Sequence, residues 1–460
     1  MSRLRFNAFA MNCVSHIHHG QWTRPDTRQR EYASLDPWVD LAKLLERGKF
    51  DALFLADVIG TYDTFRGGRD TSVVEGLQIP VNDPSLIIPV MARETENLGF
   101  AFTQSVLQEQ PFNFARRLST LDHITGGRIA WNVVTSYLEN AGRNLGFGGL
   151  PPHDERYDRA DEYLEVIYKL LEGSWEDDAV IADVERGIYA DPAKIHEIDH
   201  AGRFYDVIGP HLSEPSPQRT PVLFQAGSSD RGREFAARNA EAIFIIARNA
   251  EGARAQTADV RARAVRHGRD PGDVLFFQAL SVIVGGTEEE ARRKEVEIEE
   301  RASDDGYAAH MAGNIGVDLA DIDLEAPLTE LPERYAGQSM MNVLVESAPD
   351  KSWAFGDLLR WIASVRVVGT PEQVADELAV YADAGVDGIN LMYYTTPGSF
   401  EDFIDGVTPV LQERGLAQRE YTPGTLREKL SDGAAGPRIG ERHPAAGFRR
   451  GALARAEVAA

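Results

Sequence analysis

Side chains able to do chemistry gather in this sequence where short apolar runs end. Asn12, Cys13, His16, His18 and His19 follow the run 4–10, and Asp57 ends the run 52–56. Thr103 and Gln104 close the run 98–103, while Asn132, Thr135, Ser136 and Tyr137 belong to the fourth run or follow it directly. Gly227, Ser228 and Ser229 follow the fifth run, 221–226. His16-Ile17-His18 has the spacing of a metal-ligand pair, but such sites draw further histidines from later strand ends. The fifth and sixth runs here end in Gln-Ala-Gly and Ile-Ile-Ala, and Tyr393-Tyr394 closes the last, so no metal site is expected. Cys13 beside His16 is either a thiol nucleophile or a small buried filler. Gly227-Ser228-Ser229 opening a helix offers free backbone N–H groups and hydroxyls at the positive end of a helix dipole, which suits a phosphate. An ordinary serine N-cap gives the same pattern. The glycine run 146–149 does not join a strand to a helix, so it lacks the context of a dinucleotide fingerprint, and there is no P-loop.

The elements that must position these residues alternate along the chain. Apolar runs at 4–10, 52–56, 98–103, 128–135, 221–226, 242–246, 275–284 and 388–394 read as strands. Helical spacing occupies 35–46, 83–96, 114–123, 158–171, 231–239, 252–267 and 371–384. The runs are continuously apolar rather than alternating, as in parallel sheets covered on both faces. Eight strand–helix units predict an α/β chain folded as a (β/α)8 TIM barrel, with a doubly wound open sheet as the alternative. In a barrel, the strand ends just named form the active-site face. One unit is expected over 1–430, with insertions at about 146–220 and 287–366, and a loosely ordered Ala-, Gly- and Arg-rich tail over 431–460.

Composition narrows the partners. The 460 residues carry 72 acidic against 48 basic side chains, a formal charge of −24, with no long basic run to track a phosphate backbone. Nucleic acid is not an expected partner. No stretch nears 18 uninterrupted apolar residues, and the first residues lack a signal-peptide core, so a cytoplasmic protein is expected. One cysteine excludes an internal disulfide.

Several longer segments occur in a familiar order. They are Met11-Asn-Cys-Val-Ser-His-Ile, Leu44-Leu-Glu-Arg-Gly-Lys-Phe-Asp-Ala-Leu-Phe-Leu-Ala-Asp, Arg117-Leu-Ser-Thr-Leu-Asp-His and Trp131-Asn-Val-Val-Thr-Ser. His153-Asp-Glu-Arg-Tyr-Asp, Ser216-Pro-Gln-Arg-Thr-Pro-Val and Gln225-Ala-Gly continue the series. Together they resemble the bacterial-luciferase-like flavin monooxygenases, over about residues 5–430 and least in the second insertion. The likeness is to the nitrilotriacetate and dibenzothiophene sulfone branch, and within it most of all to the long-chain alkane monooxygenases.

The resemblance implies a luciferase-like (β/α)8 barrel that takes reduced FMN from a separate NAD(P)H-dependent flavin reductase. The flavin reacts with O2 to give a 4a-hydroperoxide, which the protein keeps dry and aims at substrate. Asp57, Thr103 and Asn132 are implied around the isoalloxazine, with His153, Tyr157, Ser228 and Ser229 at the phosphate. Cys13, His16 and His310 are implied at the reacting edge, and Tyr62 and Gln78 beside substrate. Tyr137 stands where the alkane members carry histidine, so proton handling there is not carried over: a phenol titrates near 10 and an imidazole near 6.5. The implied reaction is terminal hydroxylation of a long-chain alkane, or oxygenation of an organosulfur compound by the same chemistry. A metal-dependent barrel hydrolase, or a deazaflavin enzyme independent of oxygen, are the rival readings. A homodimer or homotetramer is expected by analogy with the family.

Overall fold

The computed structural model describes residues 3–328 and 352–450. Eight parallel strands close on themselves: β1 (Arg5–Met11), β2 (Ala52–Ala56), β3 (Gly99–Ser105), β4 (Ile129–Val134), β5 (Val222–Gln225), β6 (Ala242–Ile245), β7 (Leu275–Val284) and β9 (Gly388–Met392). Pairing of β6 with β7, Ala242 opposite Leu275, and of β9 with β1 leaves the barrel without an edge. The expected TIM barrel is the fold, and all eight apolar runs are its strands. A further strand, β8 (Arg366–Gly369), was not expected. It pairs with the second half of β7 at Ser281–Val284, continuing that strand's ladder past the point where β6 ends.

Register decides which side chains face inward. Phe9, Phe54, Ala101, Ala130 and Val222 are successive partners across β1 to β5. The inward phenylalanines pack as edge-on pairs, Phe9 against Phe54 at 5.4 Å and Phe54 against Phe224 at 5.3 Å between ring centroids. This apolar plug fills the barrel, so chemistry is confined to the layer above it. Two residues further along β3 and β4, on the same inward side, stand Thr103 and Asn132, which are themselves register partners.

Most expected helices form, including Asp36–Arg47 (α1), Pro111–Thr125 (α2), His153–Tyr168 (α3), Asp230–Asn239 (α4) and Ala250–Arg266 (α5). The helix expected over 83–96 is instead two short pieces, Pro84–Leu86 and Ile88–Arg93, each with a proline in its first turn. Proline lacks the N–H that would continue a preceding helix. The second insertion lays α6 (Glu288–Glu299), α7 (Asp304–Ile315) and α8 (Phe355–Ala363) around the C-terminal mouth of the barrel. The apolar faces of α7 and α8 join Met11, Cys13, Val58 and Tyr62 in a second hydrophobic cluster, separate from the main core.

The opposite end is closed by the chain's last part. Leu426 and Leu430 pack into the inner cluster with Phe54 and Phe224. Arg427, buried, donates to both carboxylate oxygens of Glu241 at 2.6 and 2.9 Å. The segment expected as a loosely held tail is seated as far as residue 450: His443 is buried and bonds the Asn239 carbonyl at 2.7 Å, and Arg449 donates to Glu172 at 2.8 Å. Point contacts of this kind leave no periodic signature. The rest of that expectation, 451–460, lies outside the described residues. Among the described residues no helix is long and apolar enough to cross a membrane.

Removing one partner of a buried ion pair strands the other charge, at about 3–5 kcal/mol. Arg427→Leu is therefore expected to lower the unfolding free energy by about that amount in urea titrations. A loss below about 1 kcal/mol, the range of exposed pairs, would show that this end of the barrel does not depend on the pair.

Candidate active site

The mouth of the barrel divides into three groups of side chains. The first lies on the inner wall. Asn132 donates from Nδ2 to Thr103 Oγ1 at 3.0 Å, both buried, as their shared register dictates. Asn132 Oδ1 is buried with no partner. A buried acceptor without a donor costs about 1–3 kcal/mol, so this atom suits a ligand N–H. Asp57, half-buried at the end of β2, has its carboxyl raised to about 7 by desolvation and then by Asp83, against stabilising bonds from the Val58 N–H and Gln108.

The second group surrounds the start of α4. Ser229 caps the helix, its Oγ accepting from the Gly232 N–H at 3.0 Å, and it also meets His153 Nε2 at 3.2 Å. His153 is oriented by Asp154 at 2.7 Å. The Tyr157 hydroxyl lies so close that a Cβ on either Gly227 or Gly232 would come within 2.6 Å of it, so only glycine permits this approach. The Arg231 guanidinium stands 5.5 Å over the Tyr157 ring. Ser228 is exposed at the turn. Hydroxyls, an imidazole, a phenol and a nearby cation at a helix N-terminus fit a phosphate, and Asn132 Oδ1 fits a hydrogen-bonding ring system. A flavin mononucleotide carries both. The serine is thus an N-cap and a candidate anion ligand at once, so neither sequence alternative displaces the other.

The third group forms the lid side. Tyr62 donates to Gln78 Oε1 at 3.2 Å, and its hydroxyl also bonds that of Tyr137. Gln78 in turn donates to the His16 carbonyl at 2.9 Å. Gln78 and Ser136 both hold positive φ, 48° and 61°, a conformation costly for non-glycine residues and concentrated at functional sites. Tyr137 keeps 47% of its surface open, yet desolvation at its hydroxyl raises its pKa to about 12, against the bond from Tyr62, which lowers it. On α7, His310 packs edge-on against Tyr62 at 4.8 Å. His310 is half-buried as a residue, and desolvation of its ring lowers its pKa to about 4. His16, buried against Phe9 at 4.7 Å, is lowered to about 3 by desolvation and then by His310. Burial pushes the Cys13 thiol up, with Asp57 adding to the rise. Among the described residues no hydrogen bond joins Cys13 to His16, and the thiol is buried in the apolar cluster with Met11 and Tyr62.

Sequence reasoning passed over Ser15, weighed His18 only as a metal ligand and gave His19 no role of its own. His18 stacks on Tyr394 at 3.9 Å and bonds Ser281 Oγ at 2.7 Å, while His19 bonds His310 at 2.9 Å. The three histidines of the first loop are thus engaged with different neighbours. Among the described residues no group of three His, Cys, Asp or Glu side chains is placed to hold a metal.

The raised Asp57 carboxyl makes a measurable claim. Above the ordinary carboxylate pKa the unfolded chain ionises while the folded chain resists, so Asp57 costs stability increasingly as pH rises to about 7. Asp57→Asn is expected to gain on the wild type by on the order of 1–3 kcal/mol at pH 8 and by clearly less at pH 5, read by denaturant titration. A difference independent of pH would assign Asp57 an ordinary pKa.

Comparison with known proteins agrees with this arrangement. The luciferase-like monooxygenase family model matches residues 6–388. The chain is 48% identical to a long-chain alkane monooxygenase of Geobacillus thermodenitrificans, over 97% of this chain and 98% of the relative. It is 46% identical to a dimethyl-sulfide monooxygenase of Hyphomicrobium sulfonivorans, over 99% of this chain and 96% of the relative. A solved riboflavin lyase with modified FMN and riboflavin bound superimposes with a TM-score of 0.87 at 40% identity, covering 97% of this chain and 100% of that one. An eight-stranded barrel, its polar strand ends and two near-full-length relatives place this chain in the luciferase-like monooxygenase family of flavin-dependent oxidoreductases.

Proposed function

We propose that this protein is the oxygenating component of a two-component system, using reduced FMN from a separate NAD(P)H-dependent flavin reductase and O2 to oxygenate a hydrophobic small molecule. A long-chain alkane is the first substrate, hydroxylated at its terminus; an organosulfur compound such as dimethyl sulfide is the second. The observation that carries the reading is a polar cradle around Ser229, His153 and Tyr157 on the same barrel mouth as an apolar cluster built from Met11, Val58, Tyr62 and Phe355. One suits a charged cofactor tail and the other an apolar substrate. Both readings of the substrate stand on relatives of nearly equal identity.

Reduced FMN would supply the electrons that activate oxygen. The chain's own residues bind, orient and exclude water. Ser228, Ser229, His153 and Tyr157 would hold the phosphate, and Asn132, Thr103 and Asp57 would lie along the ring. The carboxyl of Asp57, poised near neutrality, would donate or accept a hydrogen bond with little change in pH. Cys13 and His16 would wall the reacting edge as uncharged groups, and Tyr62 and Gln78 would line the substrate side with Tyr137. His310, neutral at working pH, would act as a hydrogen-bond donor or acceptor there rather than as a fixed cation. The apolar faces of α7 and α8 over the mouth keep water from the reaction.

Two measurements test this. Ser229→Ala with Tyr157→Phe is expected to weaken FMNH2 binding about tenfold or more in anaerobic titrations, since hydrogen bonds to a charged group contribute about 1.5–3 kcal/mol each. Unchanged affinity removes the phosphate assignment. Oxygen-dependent product formation is then measured with a long-chain n-alkane and with dimethyl sulfide, for the wild type and Tyr137→His. The alkane reading expects alkane turnover that rises in the variant; turnover of the sulfide alone transfers the assignment to organosulfur chemistry.

A further inference from the structure

A polar chain runs inward from His310 and is used by none of the groups assigned so far. His310 Nδ1 lies 2.9 Å from His19 Nε2, and His19 Nδ1 lies 2.9 Å from Ser15 Oγ. Ser15 and His19 are completely buried. Their loop is clamped to α7: the His19 carbonyl accepts from the Ser303 N–H at 3.2 Å, and a Cβ on Gly306 would come within 2.7 Å of the His19 Cβ. Gly20, at φ 89°, lets the same loop pass the Arg301 carbonyl. The contact between the two imidazoles is therefore held by backbone on both sides, 291 residues apart in sequence.

The direction of this chain follows from proton counting. A serine hydroxyl must place its single proton on an acceptor, and the one hydrogen-bond partner of Ser15 Oγ among the described residues is His19 Nδ1. In the opposite direction the Ser15 proton would be buried unpaired, at about 1–3 kcal/mol. Ser15 then donates to His19 Nδ1, which puts the His19 proton on Nε2, and His19 donates it to His310 Nδ1. His310 is left with its own proton on Nε2, the ring nitrogen that has no partner among the described residues.

We infer that Ser15 and His19 are positioning residues that fix His310 as the Nε2–H tautomer, so that it presents a hydrogen-bond donor to an oxygen acceptor at the barrel mouth. Its consequence for turnover rests on the monooxygenase reading above; the tautomer itself does not. Fixing the tautomer through the second nitrogen is a general way of committing an imidazole to one role. His16 and Tyr62, the other groups beside His310, impose no competing proton: no hydrogen bond joins either to the His310 ring among the described residues.

The test uses the full chain with 15N-labelled histidine, the His310 signals being identified by their loss in His310→Gln. Long-range proton–nitrogen correlations are expected to show the Nε2–H tautomer in the wild type and a mixture of both tautomers in Ser15→Ala. That variant exchanges one hydroxyl for hydrogen, and His19→Ala serves as the larger perturbation. With reduced FMN and the substrate that the preceding assay selects, kcat is expected to fall about tenfold or more, part of the ~10²–10⁴ that a positioned proton donor contributes, while KM and FMNH2 affinity change less than twofold. An Nδ1–H tautomer in the wild type, an unchanged tautomer in Ser15→Ala, or kcat and flavin affinity falling together would each overturn the inference. So would an altered tautomer with undiminished turnover. If the wild type forms no oxygen-dependent product from any substrate, the monooxygenase reading fails, and the nitrogen spectra still decide whether Ser15 and His19 set the tautomer.

Discussion

The side chains at the strand ends of this protein take their positions from the backbone ladders that close eight parallel strands into a barrel, the last of them joining Ala242–Ile245 to Leu275–Gln278. Parallel pairing fixes height as well as neighbour, so a residue two positions beyond the phenylalanine plug must stand at the mouth. Thr103 and Asn132 meet for that reason alone: they are register partners on the inward side, and their hydrogen bond is a consequence of the ladder. Closure also means that α4 starts at the mouth, because β5 ends there. The helix terminus, its serine cap and the Tyr157 hydroxyl are brought together by the same geometry.

A barrel filled by its own side chains has no interior site, and what converts its rim into an enclosed one is the second insertion. Helices α7 and α8 bury a hydrophobic cluster of their own against the first loop and Tyr62. This desolvation explains the direction of the titrations at the mouth, where acids and phenols are raised and imidazoles lowered, each toward its neutral form. An uncharged, water-poor mouth suits oxygen chemistry on an apolar molecule, and it makes hydrogen-bond direction, rather than net charge, the variable by which neighbouring residues act. The first loop and α7 meet through glycines at 20 and 306, so backbone approach sets the distance between His19 and His310.

Much of this was legible in the chain. The eight barrel strands are continuous apolar runs, as strands covered on both faces must be, and the polar residues at their ends are the ones found at the mouth. The Arg366–Gly369 strand escaped because it is four residues long, mostly half-buried, and adjoins an acidic insertion with no alternation to read. Prolines 84 and 89 split a helix whose apolar spacing was otherwise sound. Residues 433–450 carry no periodicity because single side chains, His443 and Arg449 among them, hold them in place. Ser15 drew no notice and His19 was given no role because their importance lies in a partner on a distant helix.

The sequence by itself determined the eight strand–helix units and the kinds of groups at the strand ends, because hydrophobic periodicity and residue type are local properties. Closure into a barrel rather than an open sheet came from the pairing of Ala242–Ile245 with Leu275–Gln278. Only the tertiary structure decided which of those groups meet. Asn132 Oδ1 is left unpaired by strand register, Tyr137 joins Tyr62 across 75 residues, and His310 joins His19 across 291. Hydrogen bonds act over about 3 Å and have direction, so they depend on backbone approach that no local pattern records. The chemistry of this mouth was written in residue types, and its wiring was settled by packing.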